Sequence, residues 1–386
     1  MSSQPADPTI EERERVIELV RQHGWNATAF QTLESGYSYW FAGADACVAY
    51  VDTGSAWVAA GAPIAAPEAL ARVAAAFVAS ASAAGKRCCF FGSEDRLRVA
   101  AQATLSSFCV GEQPVWRPSD WTRTVLEGKS LREQLRRARA KGVRTRRLTA
   151  AELELEPIRA AIADVAERWL RTRRMERLDF LVKLEPFALA DERCCFVAEQ
   201  GGRVVAFALL APVPARRGWL LENLVRDPAA PNGTAELLVD GVMRWAAASG
   251  AEWLTLGLAP LSGDVARPLR LARRAGRFLY DFRGLRAYKA KLGPRAWCAI
   301  FVSHPDDQSA LVALFDVLVA FSGVGLVRFA ARSLALRLQC ALFQSRPWPT
   351  STTSGTARSI TRSIFSRMSR MAVSTSASGT SNTSSS

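Results

Sequence analysis

Apolar residues follow two periods along this chain, and the two periods alternate twice in the same order. Residues 10–22 read as an amphipathic helix that His23 and Gly24 end. Short apolar runs at 37–41, 46–51 and 56–60 then read as antiparallel strands, with Asp52-Thr53-Gly54-Ser55 as the turn between the last two. Residues 68–84 repeat at helical spacing, Gly85 caps them, and 87–91 form a further strand. The same rhythm returns at 194–199, 204–211 and 219–225, in a helix at 236–248 closed by Gly250, and in a strand at 253–258. The pattern predicts an α/β protein, with sheets flanked by helices, built from two copies of one unit.

The second unit is the more informative. Asp227, Pro228, Pro231, Asn232 and Gly233 break the chain after its central strand with residues that pre-set or permit turn angles. Thr234 is the expected helix N-cap, and Glu236 lies in the first turn, near the positive end of the helix dipole. Asp240, one turn further on, reads as a surface residue. Farther along, Lys289 and Lys291 are expected on one face of a strand, with Tyr288 opposite. Residues 297–302 read as a closing strand.

Between the units, residues 129–147 hold nine Lys or Arg among nineteen positions, against one Glu. Helical spacing places Leu131 and Leu135 on a buried face and Arg132, Arg136 and Arg139 together on another. Acids to balance them are nearly absent, so the stretch predicts a site for phosphate backbone or lipid headgroup. A long helix at 152–174 comes next. The expected organisation is an N-terminal unit at 1–128, a basic connecting helix at 129–148 and a catalytic unit at 149–303. Amphipathic helices at 304–346, able to lie on a membrane surface, and a disordered Ser/Thr-rich tail at 347–386 complete it.

Composition sharpens this picture. The net charge of +14 over 386 residues points to a polyanionic partner. The start of the chain is polar and acidic, unlike a secretory leader, which predicts a cytoplasmic protein touching the inner face of the membrane. The neighbours Cys88–Cys89 and Cys194–Cys195 suit buried reduced thiols better than a zinc site. Two histidines, His23 and His304, leave little for a metal site or a Ser-His-Asp triad.

Strand, loop, helix, strand after an antiparallel hairpin is the core order of the GNAT acyltransferases. Members that use coenzyme A bind its pyrophosphate on a glycine-rich loop at the helix N-terminus. Here residues 226–234 carry one glycine and two prolines, which counts against that cofactor. Six stretches carry a closer likeness: Gly61-Ala62-Pro63-Ile64, Leu131-Arg132, Leu224-Val225-Arg226, Pro231-Asn232-Gly233-Thr234, Gly257-Leu258-Ala259-Pro260-Leu261-Ser262, and the run from Phe282 to Lys291. Over roughly residues 20–305 the chain resembles the soluble C-terminal domain of the bacterial phosphatidylglycerol lysyltransferases, which are tandem GNAT folds.

That resemblance implies transfer of an amino acid from aminoacyl-tRNA, as co-substrate, to the hydroxyl of an anionic phospholipid, with no metal and no other cofactor. It implies catalytic roles for Arg226, Glu222, Asn223 and Glu236. Substrate contacts would come from Arg132, Arg136, Arg139, Asn232, Gly233, Thr234, Tyr280, Arg283, Lys289 and Lys291. Related sequences carry an acid three residues before the arginine, where this chain has Asn223, so the donor amino acid is left open. Glu222 is adjacent, but strand neighbours face opposite sides. The full-length synthases place a membrane flippase region before this domain; the alternatives for this sequence are lipid modification without flipping, action with a separate membrane protein, or another acceptor. The product would weaken attraction of cationic antimicrobial peptides. Competing readings are a tRNA-dependent transferase acting on a peptide or peptidoglycan precursor, a coenzyme A N-acyltransferase, and a non-catalytic RNA- or lipid-binding protein.

Overall fold

The structure is a computed structural model that describes residues 8–172, 180–181, 184–265, 269 and 282–322. The helix α1 (Ile10–His23) opens it, followed by β1 (Ser38–Phe41), β2 (Cys47–Asp52), β3 (Ala56–Ala60), α2 (Leu70–Ala83) and β4 (Arg87–Ser93). Next come α3 (Asp95–Ala100), β5 (Leu105–Trp116), α4 (Trp121–Glu127), α5 (Lys129–Ala140), β6 (Arg144–Arg147), α6 (Ala150–Glu154) and α7 (Glu156–Arg171). The second unit runs β7 (Cys194–Gln200), β8 (Arg203–Val213), β9 (Gly218–Arg226), α8 (Thr234–Ala248), β10 (Trp253–Thr255) and β11 (Ala259–Pro260). It closes with α9 (Phe282–Lys291), β12 (Ala296–Pro305) and α10 (Ala310–Ser322).

All the described strands join one sheet in the order β1-β2-β3-β4-β12-β5-β10-β9-β8-β7-β6, with β11 also on β5. In each unit the central strand is parallel to the strand after its helix: β3 with β4, and β9 with β10. The two units trade strands at the middle. β12 comes from the second unit and lies against β4 of the first; β5 comes from the first and lies against β10 of the second. The β5–β12 pairing runs from Val115 opposite Ala296 to Leu105 opposite Pro305.

The sequence pattern predicts no strand at β5, and Pro114 within it explains why, since proline is rare in inner strands. Its carbonyl accepts from Thr255 Oγ1 at 2.7 Å, on the edge that faces β10 and β11. The missing N–H therefore falls in the gap between those two short strands and leaves no ladder bond unmade.

Alternation along the strands divides the core. Cys88 and Phe90 pack under α2, whereas Cys89 and Phe91 pack on the opposite face with Ala313 and Val317 of α10. Burial drives both thiols up, that of Cys88 to about 12, so these cysteines are inert apolar fillers, as their strand setting predicts. The expected helix at 152–174 is two helices. Pro157 fits only a first helical turn, so the chain restarts at Glu156. Ile162 and Val165 of α7 are buried against Val197, Phe207 and Val225.

The inner face of α10 is fixed by more than apolar contact. Asp316, fully buried, accepts from Arg87 Nε at 2.9 Å. On its outer face Leu311, Val312, Phe315 and Leu318 are exposed. Among the described residues no helix is long and apolar enough to cross a membrane. The expected basic amphipathic stretch beyond Ser322 and the Ser/Thr-rich tail lie outside the described residues.

Candidate active site

The sheet opens between β9 and β10. Their parallel pairing covers only Gly218, Trp219 and Leu220 against Trp253, Leu254 and Thr255. The strand expected to continue to residue 258 stops at Thr255 because Lys289 takes hold of the next three residues. Its ammonium donates to the carbonyls of Leu256 at 2.8 Å, Gly257 at 2.8 Å and Leu258 at 2.9 Å. Successive carbonyls point to opposite sides in a strand, so three turned to one side cannot belong to a ladder. Gly257 meets this demand with φ +69°, a conformation that favours glycine.

Lys289 is thus not the strand residue that its alternation with Lys291 predicts, and its ammonium is taken up by backbone carbonyls. It lies on a helix, α9, and is 5% exposed, and desolvation lowers its pKa to about 7. Lys291, also on α9, pairs with Glu236 in the first turn of α8. Tyr288 packs into the core beneath α8, where burial, and the carboxylate of Glu236 after it, push its hydroxyl far up.

Around β9 the predicted catalytic residues split between two faces. Arg226 lies opposite Ala206, whose side chain belongs to the core under α8. Its guanidinium closes the adjoining loop by donating to Ala230 O at 2.6 Å. Asp227, its neighbour, pairs instead with Arg168 at 2.6 Å. Glu222 sits at a bulge: β8 residues Leu209 and Leu210 oppose Asn223 and Leu221, leaving Glu222 as the extra residue. A bulge resets the alternation. Leu221 and Leu224 both pack under α8, so Glu222 and Asn223 share the opposite face, the one Leu209 occupies. Strict alternation would put them on different sides.

On that face a buried charged group surrounds Glu222. Arg193 bridges Glu34 and Glu222, reaching Glu222 Oε2 at 3.2 Å, and all three side chains are at most 3% exposed. Gln31 Nε2 donates to Glu222 Oε1 at 2.9 Å and to Leu181 O at 3.2 Å. Two carboxyl groups share one guanidinium, so they compete for its single positive charge. Desolvation, and Glu222 after it, raise the Glu34 carboxyl to about 8 against the pull of Arg193. Among the described residues, nothing pairs with Asn223 Oδ1 or the second oxygen of Glu34. Sequence reasoning found neither Glu34 nor Arg193: they are 159 positions apart, and no local period links them.

The N-terminus of α8 is covered. Its cap is Gly233 in the left-handed conformation, not Thr234, whose hydroxyl is fully buried and turns back to Pro231 O at 2.7 Å. A Cβ placed on Gly233 would lie 2.2 Å from Gln134 O, so the backbone of α5 runs directly across this helix end. Leu131 and Leu135 are buried, as their spacing predicts. Arg132 and Arg136 are exposed, with Arg136 and Arg137 sharing Glu133. Arg139 leaves that group to bind Asp240 at 2.7 Å. Asp240 is not a surface residue; it is 2% exposed and accepts also from Trp121 Nε1 at 2.8 Å and from Arg244 at 3.1 Å. Tyr280 and the side chain of Arg283 lie outside the described residues.

The two faces of β9, the strand opening and the repeated units can be set beside known proteins. The family model for the C-terminal region of phosphatidylglycerol lysyltransferase matches residues 17–302. The chain belongs to that family. Among curated relatives of this phosphatidylglycerol lysyltransferase C-terminal family, the phosphatidylglycerol lysyltransferase of Bacillus subtilis is 27% identical over 165 residues, 40% of this chain and 19% of that protein. The lysylphosphatidylglycerol biosynthesis bifunctional protein LysX of Mycolicibacterium gilvum is 29% identical over 161 residues, 41% of this chain and 14% of its own. The chain thus spans a minor part of these relatives. A crystal structure of the C-terminal domain of a protein assigned as a lysylphosphatidylglycerol synthetase, from Agrobacterium fabrum, superposes with TM-score 0.70 at 26% identity, covering 81% of this chain and 98% of that domain. The structure of L-PGS from Bacillus licheniformis shares the fold, with TM-score 0.69 at 18% identity over 83% of this chain and 99% of that one.

Proposed function

We propose that this chain transfers an amino acid from aminoacyl-tRNA to a hydroxyl of an anionic lipid such as phosphatidylglycerol. One observation carries the choice of donor. The helix end at Gly233, where a coenzyme A pyrophosphate would lie, is covered by α5, and that same helix turns Arg132, Arg136 and Arg137 to solvent. The element that closes the nucleotide position thus offers a surface for a phosphate backbone. Membership of the lysyltransferase family supports the acceptor.

The chemistry asks little of the protein. The ester is already activated, so the acceptor hydroxyl oxygen bonds to the acyl carbon, the bond to the tRNA ribose oxygen breaks, and the hydroxyl proton passes to that oxygen. Placing the two groups together and stabilising the oxyanion supply the rate. The Asn223 face, where the side-chain oxygen of Asn223 has no partner among the described residues, is the place proposed for the donor amino group. The exposed outer face of α10 suits contact with the lipid surface.

The test is incubation with a labelled set of aminoacyl-tRNAs and a lipid extract, with and without ribonuclease, read by thin-layer chromatography. Label should enter lipid only in the untreated sample. Label in a peptide product instead would move the acceptor to a peptidoglycan precursor, and no labelled product at all would remove the reading.

A further inference from the structure

We propose that Lys289 is a positioning residue for the transfer reaction: it holds the opening between β9 and the chain after β10, and thereby aims the Leu258 amide at the reacting carbonyl. The inference rests on the transferase reading for its chemical consequence, but not for its geometry.

Three carbonyls in a row face the Lys289 ammonium. In a trans peptide the N–H points away from the carbonyl it is conjugated with. The N–H of Gly257, Leu258 and Ala259 therefore all point away from Lys289. Gly257 N–H donates to Thr255 Oγ1 at 3.1 Å, and Ala259 belongs to β11, paired with Glu112 of β5. Leu258 N–H, between them, meets no acceptor among the described residues. It follows closely on the end of the parallel ladder with β9 at Thr255, and its neighbour Gly257 lies against the Leu220 side chain, which a Cβ on Gly257 would approach to 3.3 Å. A preorganised amide donor at a gap in a sheet is what a developing oxyanion needs.

The clamp depends on three donors. An ammonium has three N–H groups, while a neutral amine has two and a lone pair that repels the third carbonyl. Charged neighbours are committed elsewhere: Lys291 to Glu236 of α8, and Arg286 to Glu112 of β5 with its guanidinium over Trp297. Among the described residues, Thr255 and Tyr288 are further polar side chains on the two segments that the clamp joins. Burial alone lowers the Lys289 pKa to about 7, so the clamp loses a donor as pH rises through neutrality.

The experiment compares the full chain with Lys289→Met and Lys289→Arg, all shown to be folded at the assay temperature. Transfer from aminoacyl-tRNA to phosphatidylglycerol vesicles is followed, and amide hydrogen exchange is read at residues 256–259. We expect Lys289→Met to lower kcat about 100-fold, on the scale of losing one oxyanion donor, with KM for the tRNA changed less than about threefold. Wild-type kcat should fall above pH about 7; Lys289→Arg should recover part of the activity and keep it to higher pH, since guanidinium stays charged. Exchange at Leu258 should change in the Met variant through rearrangement of the released carbonyls. Unchanged kcat in Lys289→Met, or unchanged exchange at 256–259, overturns the inference. A wild-type protein that moves no label overturns the transferase reading, and the exchange result then decides the clamp by itself.

Discussion

The Cα of Gly233 and the carbonyl of Gln134 touch, so closely that a β-carbon at 233 would sit 2.2 Å from the Gln134 oxygen. That contact seats α5 across the start of α8. Gly233→Ala combines a methyl clash with a φ of +92°, and should cost at least about 2 kcal/mol. Urea unfolding measures it. Loss of tRNA binding should accompany the displaced α5; wild-type stability would mean that α5 shifts without resistance.

Asp240 fastens the same two helices from inside. Asp240→Asn keeps an acceptor for Trp121 but gives up the charge that Arg139 and Arg244 share. Both arginines are half exposed, so the expected loss is modest, about 1–2 kcal/mol. A thermal melt that moves by less than a degree would show that solvent replaces both pairs.

Glu34 gives stability a pH dependence of known sign. Its folded pKa, raised to about 8, exceeds the ordinary carboxylate value, so the folded state binds the extra proton. Stability from this group is present below about pH 4.5 and declines as pH rises towards 8. Glu34→Gln should flatten the stability profile between those limits. A profile as steep as that of the wild type would assign the slope to another group.

Asn223 offers a direct handle on donor choice. Asn223→Asp puts a third acid on the face that already holds Glu222 and Glu34, and should raise the kcat/KM ratio for lysyl-tRNA over an uncharged aminoacyl-tRNA. A tenfold change corresponds to about 1.4 kcal/mol. An unaltered ratio would separate this face from donor recognition.

Membrane contact is better tested by surface substitution than by truncation. The inner face of α10, with Ala313, Val317 and the Asp316–Arg87 pair, belongs to the core, so deletion from residue 309 would uncover it. Phe315→Ser with Leu311→Ser alters only exposed positions. Flotation with anionic vesicles should fall several-fold while the melting temperature holds; equal flotation would place the contact elsewhere.

Much of the fold is legible in the sequence because each unit carries strong local periods. Leu131 and Leu135 announce the buried face of α5, and the paired cysteines announce strands. The features that escape such a reading depend on distant partners. β5 is hidden by Pro114, tolerated only because its empty N–H side faces a gap. Lys289 and Lys291 alternate as on a strand, yet the helix forms because Tyr288 and Leu292 find the core beneath α8. Glu222 and Asn223 cannot be assigned to one face from spacing, because the bulge exists only in the pairing with β8. Asp240 looks like a solvated helix position until Trp121 and Arg139 arrive from other elements.

The trade of β5 and β12 sets a timetable for biosynthesis. When residues 1–128 have left the ribosome, β5 still lacks both neighbours, since β10 and β12 come more than a hundred residues later. A long strand with open edges must wait in that interval, and the first unit cannot close until residue 305 emerges. Separately expressed halves should therefore aggregate or recombine with each other, and chaperone dependence should be greatest for nascent chains arrested between residues 116 and 296.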